Sequence, residues 1–206
     1  MNTMQILKNL SRAFLRKMQG SKLFDGDDAL FREIVTGKGG VYGEYGCGQS
    51  TVWMSRNFRG KILSVDTSEY WAQRTSVACD GAANVEVHWA NLGPVGEWGR
   101  PVDYAHCGKF TDYTDWIWRQ EERPNYVLID GRFRVCCFLT TMLYAAPGTV
   151  VFFDDYTDRP HYHFIERFLE PKRICGRQAM FEIPPLSAET MAEVRRAVDH
   201  FRHVME

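Results

Sequence analysis

Short strand-like segments alternate with helical segments along most of this chain, and the alternation restricts the fold more than any other feature. Five strand–helix alternations lie between residues 40 and 185, and the segments "YVLI" and "TVVFF" are apolar at every position. Continuously apolar strands are typical of parallel sheets that are buried on both faces. We therefore predict an α/β fold with a Rossmann-like, mostly parallel sheet and helices on both faces.

Helical segments are expected at both ends of this sheet. The 206 residues suit one domain, with an N-terminal helical addition over residues 1–38, an α/β core over residues 40–185 and a C-terminal helix over residues 187–206. The first 24 residues contain five basic residues and no acid, with apolar residues at helical spacing. We interpret them as a helix packed on the domain; a transit peptide and a membrane-surface helix are the alternatives.

The composition is that of a globular protein. Hydrophobic residues make up 45% of the chain and the formal net charge is −1, which argues against general nucleic-acid binding. No apolar run approaches the length of a membrane span. The six cysteines form no CxxC pair, which favours reduced thiols and a cytoplasmic location. A homo-oligomer is left open.

Polar residues follow each of the first five predicted strands. They are the segment from Glu44 to Ser50, Asp66, Asn91, Asp130 with Gly131, and Asp154 with Asp155. Ligands of open α/β sheets bind beyond the carboxyl ends of the strands. The pattern therefore predicts one ligand site at this edge of the sheet.

The first of these segments, "EYGCGQS", has the features of a binding loop. Gly46 and Gly48 allow a tight turn that brings backbone and a helix N-terminus close to a ligand. Asp66 follows at about the twenty-residue spacing at which a carboxylate reaches ribose hydroxyls. Glu44 suits a ligand with an ammonium group and would repel a pyrophosphate. In addition, Thr51 occupies the third glycine position of the dinucleotide-binding pattern.

The pattern E-x-G-x-G-x-S followed by Asp66 resembles the cofactor loop of class I S-adenosylmethionine-dependent methyltransferases, and the resemblance covers residues 40 to 185. It implies S-adenosylmethionine as cofactor, with Glu44 and the glycines at its methionine end, Asp66 at its ribose and Asn91 near its adenine. A helix N-cap is the alternative role for Asp66, and a turn is the alternative for Asn91. The candidate cofactor residues are Glu44, Tyr45, Gly46, Cys47, Gly48, Ser50, Thr51, Asp66, Tyr70, Trp71 and Asn91.

The later segments "YVLIDGRFR" and "GTVVFFDDY" resemble the metal-dependent O-methyltransferase branch. The resemblance implies that Asp130, Asp154 and Asp155 hold Mg²⁺, Mn²⁺ or Ca²⁺, since hard oxygen donors suit these ions. Such an ion would lower the pKa of the attacking hydroxyl. The alternative is that these residues cap the following helix or form a turn.

The chain departs from that branch where a Lys or His base often follows the fourth-strand carboxylate, because Arg132 stands there. Arginine is a poor base, although it can bind an anionic substrate. Asp130, His161 and His163 are the catalytic candidates, and surface histidines are the alternative for the last two.

These features predict an S-adenosylmethionine-dependent methyltransferase that acts on a small-molecule acceptor, at oxygen, with assistance from a metal. Three alternatives are kept. They are a divergent cofactor-binding domain without catalysis, a nucleotide- or nicotinamide-binding Rossmann-like enzyme, and a structural or interaction module.

Overall fold

A computed structural model of the chain describes residues 23–24 and 26–206. The prediction of a helix in the basic N-terminal segment concerns residues that lie almost entirely outside this part of the chain. Within the described residues, no helix is long and apolar enough to cross a membrane.

The described residues form a sheet of seven strands in the order β3-β2-β1-β4-β5-β7-β6. The strands are β1 (Val41–Tyr45), β2 (Lys61–Asp66), β3 (Val85–Trp89), β4 (Tyr126–Ile129), β5 (Val150–Phe153), β6 (Arg173–Cys175) and β7 (Gln178–Glu182). The first five strands are mutually parallel, whereas β7 is antiparallel to both β5 and β6. This confirms the predicted Rossmann-like, mostly parallel sheet.

The described helices follow the strands in the predicted alternation. They are α1 (Ala29–Val35), α2 (Gln49–Asn57), α3 (Glu69–Ala78), α4 (Thr111–Thr114), α5 (Arg134–Tyr144) and α6 (Ala188–Phe201). Short 3-10 segments cover Glu97–Gly99, Cys107–Lys109, Trp116–Trp118 and Pro160–Arg167.

Apolar cores lie on both faces of the sheet. On one face, Phe31 of α1 packs on Phe152 of β5, with ring centroids 5.0 Å apart. On the other face, Phe138 of α5 packs on Phe153 of the same strand, with centroids 6.0 Å apart. Because neighbouring residues of a strand point to opposite faces, each apolar strand serves both cores. The prediction of helices on both faces is therefore confirmed.

The sequence segment "TDYTDWIWRQEE", residues 111–122, predicts a single helix, but the structure divides it into a short α-helix and a 3-10 turn. The α-helix ends at Thr114 because its carbonyl oxygen accepts a hydrogen bond from the buried Tyr45 hydroxyl at 2.6 Å. The Trp118 N–H then bonds to the Asp115 carbonyl at 3.0 Å and closes a 3-10 turn. The hydrogen bond from the Tyr45 hydroxyl therefore takes the place of the α-helical bond that the Trp118 N–H would make to the Thr114 carbonyl.

The register of the sheet explains why the polar segments come together. Tyr45 lies beside both Val65 and Ile129, and Ile129 lies beside Phe153. The residues that follow these positions therefore begin at nearly the same level of the sheet. The loops after β1, β2, β4 and β5 consequently share one edge.

Candidate active site

A cavity of about 610 Å³ opens at this edge, a size in the usual range for small-molecule sites. Its walls come from the glycine turn, the end of β2, two tryptophans, and the loops after β4 and β5. The lining residues are Leu23, Phe24, Gly46, Cys47, Gly48, Gln49, Ser50, Asp66, Trp71, Trp98, Asp130, Gly131, Arg132, Arg134, Asp155, Arg159 and Arg177.

The glycine turn is built by a close contact between two loops. Gly46 has a φ of +91°, and a Cβ atom there would lie 2.8 Å from the Gly131 Cα. Any side chain at Gly46 would push the loops after β1 and β4 apart. Gly48 has an extended φ of 170°, so the turn does not require a glycine at that position.

Asp66 is tied to this turn by its own carboxylate. Its Oδ2 accepts a hydrogen bond from the Cys47 N–H at 2.9 Å, and its Oδ1 accepts one from the Ser68 N–H at 2.7 Å. Burial raises the pKa of Asp66, and these two N–H groups oppose the shift. The N-cap of α3 is Ser68, whose Oγ accepts the Trp71 N–H, so Asp66 is not the cap. Asp66 remains on the cavity wall beside the turn.

Glu44 lies beneath the turn and not on the cavity wall, which corrects its predicted place at the cofactor. Its side chain is fully buried and accepts hydrogen bonds from four hydroxyl groups. The donors are Tyr42 at 3.2 Å, Ser64 at 3.0 Å, and Ser50 and Thr51 at shorter distances. Burial raises the pKa of Glu44 to about 7, and the four hydroxyls oppose this. Near neutral pH, Glu44 therefore carries a reduced negative charge, which weakens the charge-based argument against a pyrophosphate.

Tyr45 and Thr51 also support the loop from behind instead of lining the cavity. The Trp118 indole N–H donates to the Tyr45 hydroxyl at 2.9 Å, which fixes the end of β1. The Thr51 hydroxyl accepts the Gly48 N–H at 3.0 Å while donating to Glu44. One hydroxyl thus joins the buried acid, the glycine turn and the first turn of α2. Ser50 does reach the cavity, although its hydroxyl is engaged by Glu44.

The predicted adenine contacts are only partly on the cavity. Trp71 lines it, whereas Tyr70 is 59% exposed and stands outside the lining. Asn91 accepts the Gly93 N–H at 3.1 Å and forms a turn, so its predicted position near a cofactor is not borne out by this geometry.

Trp98 is a lining residue that the sequence prediction missed. It has a left-handed φ of 57°, is 81% exposed, and lies on the same cavity as Trp71. Its loop is held to the end of β2 because the Thr67 hydroxyl donates to the Gly99 carbonyl at 2.6 Å. The Gly- and Pro-rich loop indicated irregular backbone, but it gave no sign that one tryptophan would face the site.

Three carboxylates converge after β4 and β5, as predicted; Asp130 and Asp155 line the cavity, and Asp154 lies beside them. One oxygen each of Asp130, Asp154 and Asp155 lies within 4.8 Å of the others. Asp154 and Asp155 are buried, and Asp130 is partly exposed. Asp155 also has a left-handed φ of 57°, which is rare for a residue with a side chain and directs the chain sharply after β5.

Three guanidinium groups bind these carboxylates. Arg134 is almost fully buried and lies 3.1 Å from Asp130 Oδ1 and 3.1 Å from Asp155 Oδ2. The Arg134 guanidinium also donates to the carbonyl oxygen of Asp154 at 2.7 Å.

Arg177, from the turn between β6 and β7, and Arg159, after β5, complete the set. Arg177 lies 3.0 Å from Asp154 Oδ2 and 2.8 Å from Asp155 Oδ1. Arg159 lies 2.9 Å from Asp155 Oδ2. Three positive charges therefore offset three negative ones.

The predicted divalent cation does not fit this arrangement. Both oxygens of Asp155 are engaged by guanidinium groups, and any ion between the carboxylates would be repelled by Arg134 and Arg177. Among the described residues, Asp154 Oδ1 and Asp130 Oδ2 are the carboxylate oxygens of this cluster that no ion pair or hydrogen bond engages, and two oxygens do not make a coordination shell. The arginines provide the charge that the resemblance assigned to a metal.

Neither predicted histidine base lines the cavity. His163 Nε2 lies 3.0 Å from the Tyr156 carbonyl oxygen, and its ring stacks on Tyr156 at 4.7 Å. His161 is exposed and contacts the ring of Tyr162. In this geometry both rings contact neighbouring tyrosines, and neither is placed to act as the predicted base in the cavity.

Asp130 is the one predicted catalytic residue on the wall. Loss of hydration raises the pKa of Asp130, Arg134 opposes this rise, and the charges of Asp154 and Asp155 add to it. A carboxylate with a raised pKa is suited to accept a proton near neutral pH.

Comparison with known proteins agrees with the fold. No family model matches the chain, and no curated protein does. A methyltransferase from Pyrococcus furiosus shares the fold alone, at 12% identity and a TM-score of 0.52, over 90% of this chain and 100% of its own. A methyltransferase-like protein from Silicibacter pomeroyi is 34% identical, covers 77% of this chain and 87% of its own, and superposes with a TM-score of 0.67. Because this likeness in sequence and structure spans most of both proteins, the chain belongs to the class I S-adenosylmethionine-dependent methyltransferases.

Proposed function

We propose that this protein transfers the methyl group of S-adenosylmethionine to an oxygen of a small-molecule acceptor without a metal ion. The observation that carries the proposal is the position of Asp66, which the Cys47 N–H fixes beside the glycine turn on the wall of the cavity. A carboxylate at the end of β2 next to such a turn suits a ribose.

The other walls suit the remaining parts of the cofactor. Trp71 and Trp98 offer aromatic surface for the adenine. The start of α2, at Gln49 and Ser50 on the cavity wall, turns a helix N-terminus towards the methionine carboxylate. Glu44 supports the cofactor indirectly, because it holds the hydroxyls of the first turn of α2 in place.

The acceptor would lie on the β4 and β5 side, near Asp130. As the acceptor oxygen forms its bond to the methyl carbon, the sulfur–carbon bond breaks and the electron pair returns to sulfur. Asp130 takes the proton of the acceptor hydroxyl. The products are S-adenosylhomocysteine, a methyl ether and a protonated Asp130. Fixing both reactants in line supplies most of the rate enhancement, and proton transfer adds to it.

Calorimetric titration with S-adenosylhomocysteine and with NAD tests the cofactor assignment. S-adenosylhomocysteine should bind to the parent protein and to Asp130→Asn with similar affinity, because Asp130 lies on the acceptor side. NAD should not bind. Micromolar NAD binding without a response to S-adenosylhomocysteine would refute the proposal in favour of a nicotinamide enzyme.

A further inference from the structure

Arg132 differs from the other three arginines of the cavity. Arg134, Arg159 and Arg177 each contact at least one of the three acids. Arg132 lines the same cavity, but among the described residues no ion pair involves it. Its Nε is buried and has no hydrogen-bond partner within the described part of the chain.

The position of Arg132 is fixed by the fold. It lies two residues after Asp130, between β4 and α5, and its backbone N–H donates to the buried Tyr113 hydroxyl at 3.1 Å. The side chain is only partly exposed. The guanidinium is therefore presented to the cavity by an anchored backbone and not by a mobile loop tip.

A guanidinium without an ion pair among the described residues favours an incoming anion. Asp66 lines the same cavity, and the charge of Arg132 opposes the burial that raises the pKa of that carboxyl, but no ion pair of the described residues joins the two groups. A guanidinium stays protonated, and a buried donor without a partner is costly. An oxyanion would supply the missing acceptor, and the planar fork of arginine binds carboxylates and phosphates through two parallel hydrogen bonds.

We propose that the acceptor carries a carboxylate or phosphate group and that Arg132 binds it; this inference rests on the proposed methyl transfer. The methionine carboxylate of the cofactor is the competing anion. It has the N-terminus of α2 as its own site, whereas Arg132 lies two residues after Asp130, in the loop that we place on the acceptor side. Binding the anion at Arg132 would bring a nearby hydroxyl of the same acceptor to Asp130.

The test measures binding of inorganic phosphate and of acetate to the full chain by thermal melting at constant ionic strength, with acetamide as the neutral probe. The proteins are the parent, Arg132→Gln and the control Arg195→Gln, which removes an exposed arginine from α6, outside the cavity. Each titration is run without cofactor and with saturating S-adenosylhomocysteine.

Phosphate or acetate should raise the melting temperature of the parent and of Arg195→Gln, and acetamide should not. Arg132→Gln should bind the anion roughly ten- to 150-fold more weakly, the loss expected for a hydrogen bond to a charged group. A larger response to phosphate would indicate a phosphorylated acceptor, and a larger response to acetate would indicate a carboxylic acid.

Equal responses of all three proteins, or no response to either anion, would overturn the proposal. So would loss of the anion response in the presence of S-adenosylhomocysteine, because Arg132 would then serve the cofactor carboxylate. If S-adenosylhomocysteine does not bind but the anion response still depends on Arg132, the anion site stands and the methyltransferase function fails.

Discussion

The buried Glu44 should make the stability of this protein depend on pH in a direction opposite to that of an ordinary paired acid. Its pKa is raised from 4.5 to about 7 in the folded chain, chiefly by burial. The folded protein therefore holds this proton more tightly than the unfolded chain. The contribution of Glu44 to stability is greatest below pH 4.5 and falls as the pH rises towards 7.

Glu44→Gln removes this titration while keeping a group that can bond to the surrounding hydroxyls. Across pH 5 to 8, the free energy of unfolding of the variant relative to the parent should rise by about 2–3 kcal/mol, an order-of-magnitude value from the linkage between pKa and stability. Subtracting the parent at each pH cancels the titration of the groups that do not interact with Glu44.

Urea unfolding of both proteins at pH 5, 6, 7 and 8 measures this difference. Glu121→Gln, at an exposed position, is the matched control and should show a constant difference from the parent. A constant difference for Glu44→Gln as well would show that Glu44 does not titrate in this range. The glycine turn would then not be supported by a partly protonated Glu44.

Three further outcomes are expected. Asp66→Ala should bind S-adenosylhomocysteine roughly ten- to 150-fold more weakly by calorimetry, because it removes a charged hydrogen-bonding group; an unchanged affinity would exclude Asp66 as the ribose ligand. Millimolar Mg²⁺ should leave the melting temperature unchanged, because arginines occupy the acidic cluster, and a rise that Asp154→Asn abolishes would restore the metal site. Arg134→Met should lower the free energy of unfolding by about 3–5 kcal/mol in urea, since it leaves buried carboxylates uncompensated, while Arg195→Met should have little effect.

The positions that follow strands were predictable from the sequence, because strand periodicity and parallel register fix which residues reach the edge of the sheet. Asp66 and Asp130 lie on the cavity for this reason, and Asp154 meets Asp130 beside it. The direction of Glu44 was not predictable, because it depends on hydroxyls contributed by β1, β2 and α2.

The pairing of the arginines with the three acids was not predictable for a similar reason. Arg177 lies in the turn between two edge strands, 22 residues beyond Asp155 in the sequence, and only the pairing of β7 with β5 brings it to the acids. A pattern of three acids can indicate a metal or a set of ion pairs. The decision between them depends on residues that the local sequence does not single out.

The close contact between Gly46 and Gly131 has a consequence for how cofactor and acceptor affect each other's binding. With no side chain between them, the loops after β1 and β4 have little room to move independently. A ligand bound to one loop therefore restricts the motion of the other loop. As a result, cofactor and acceptor should increase each other's affinity. By thermodynamic linkage, the factor must be the same in both directions. Gly46→Ala, which separates the loops, should reduce that mutual factor more than it reduces either affinity measured alone.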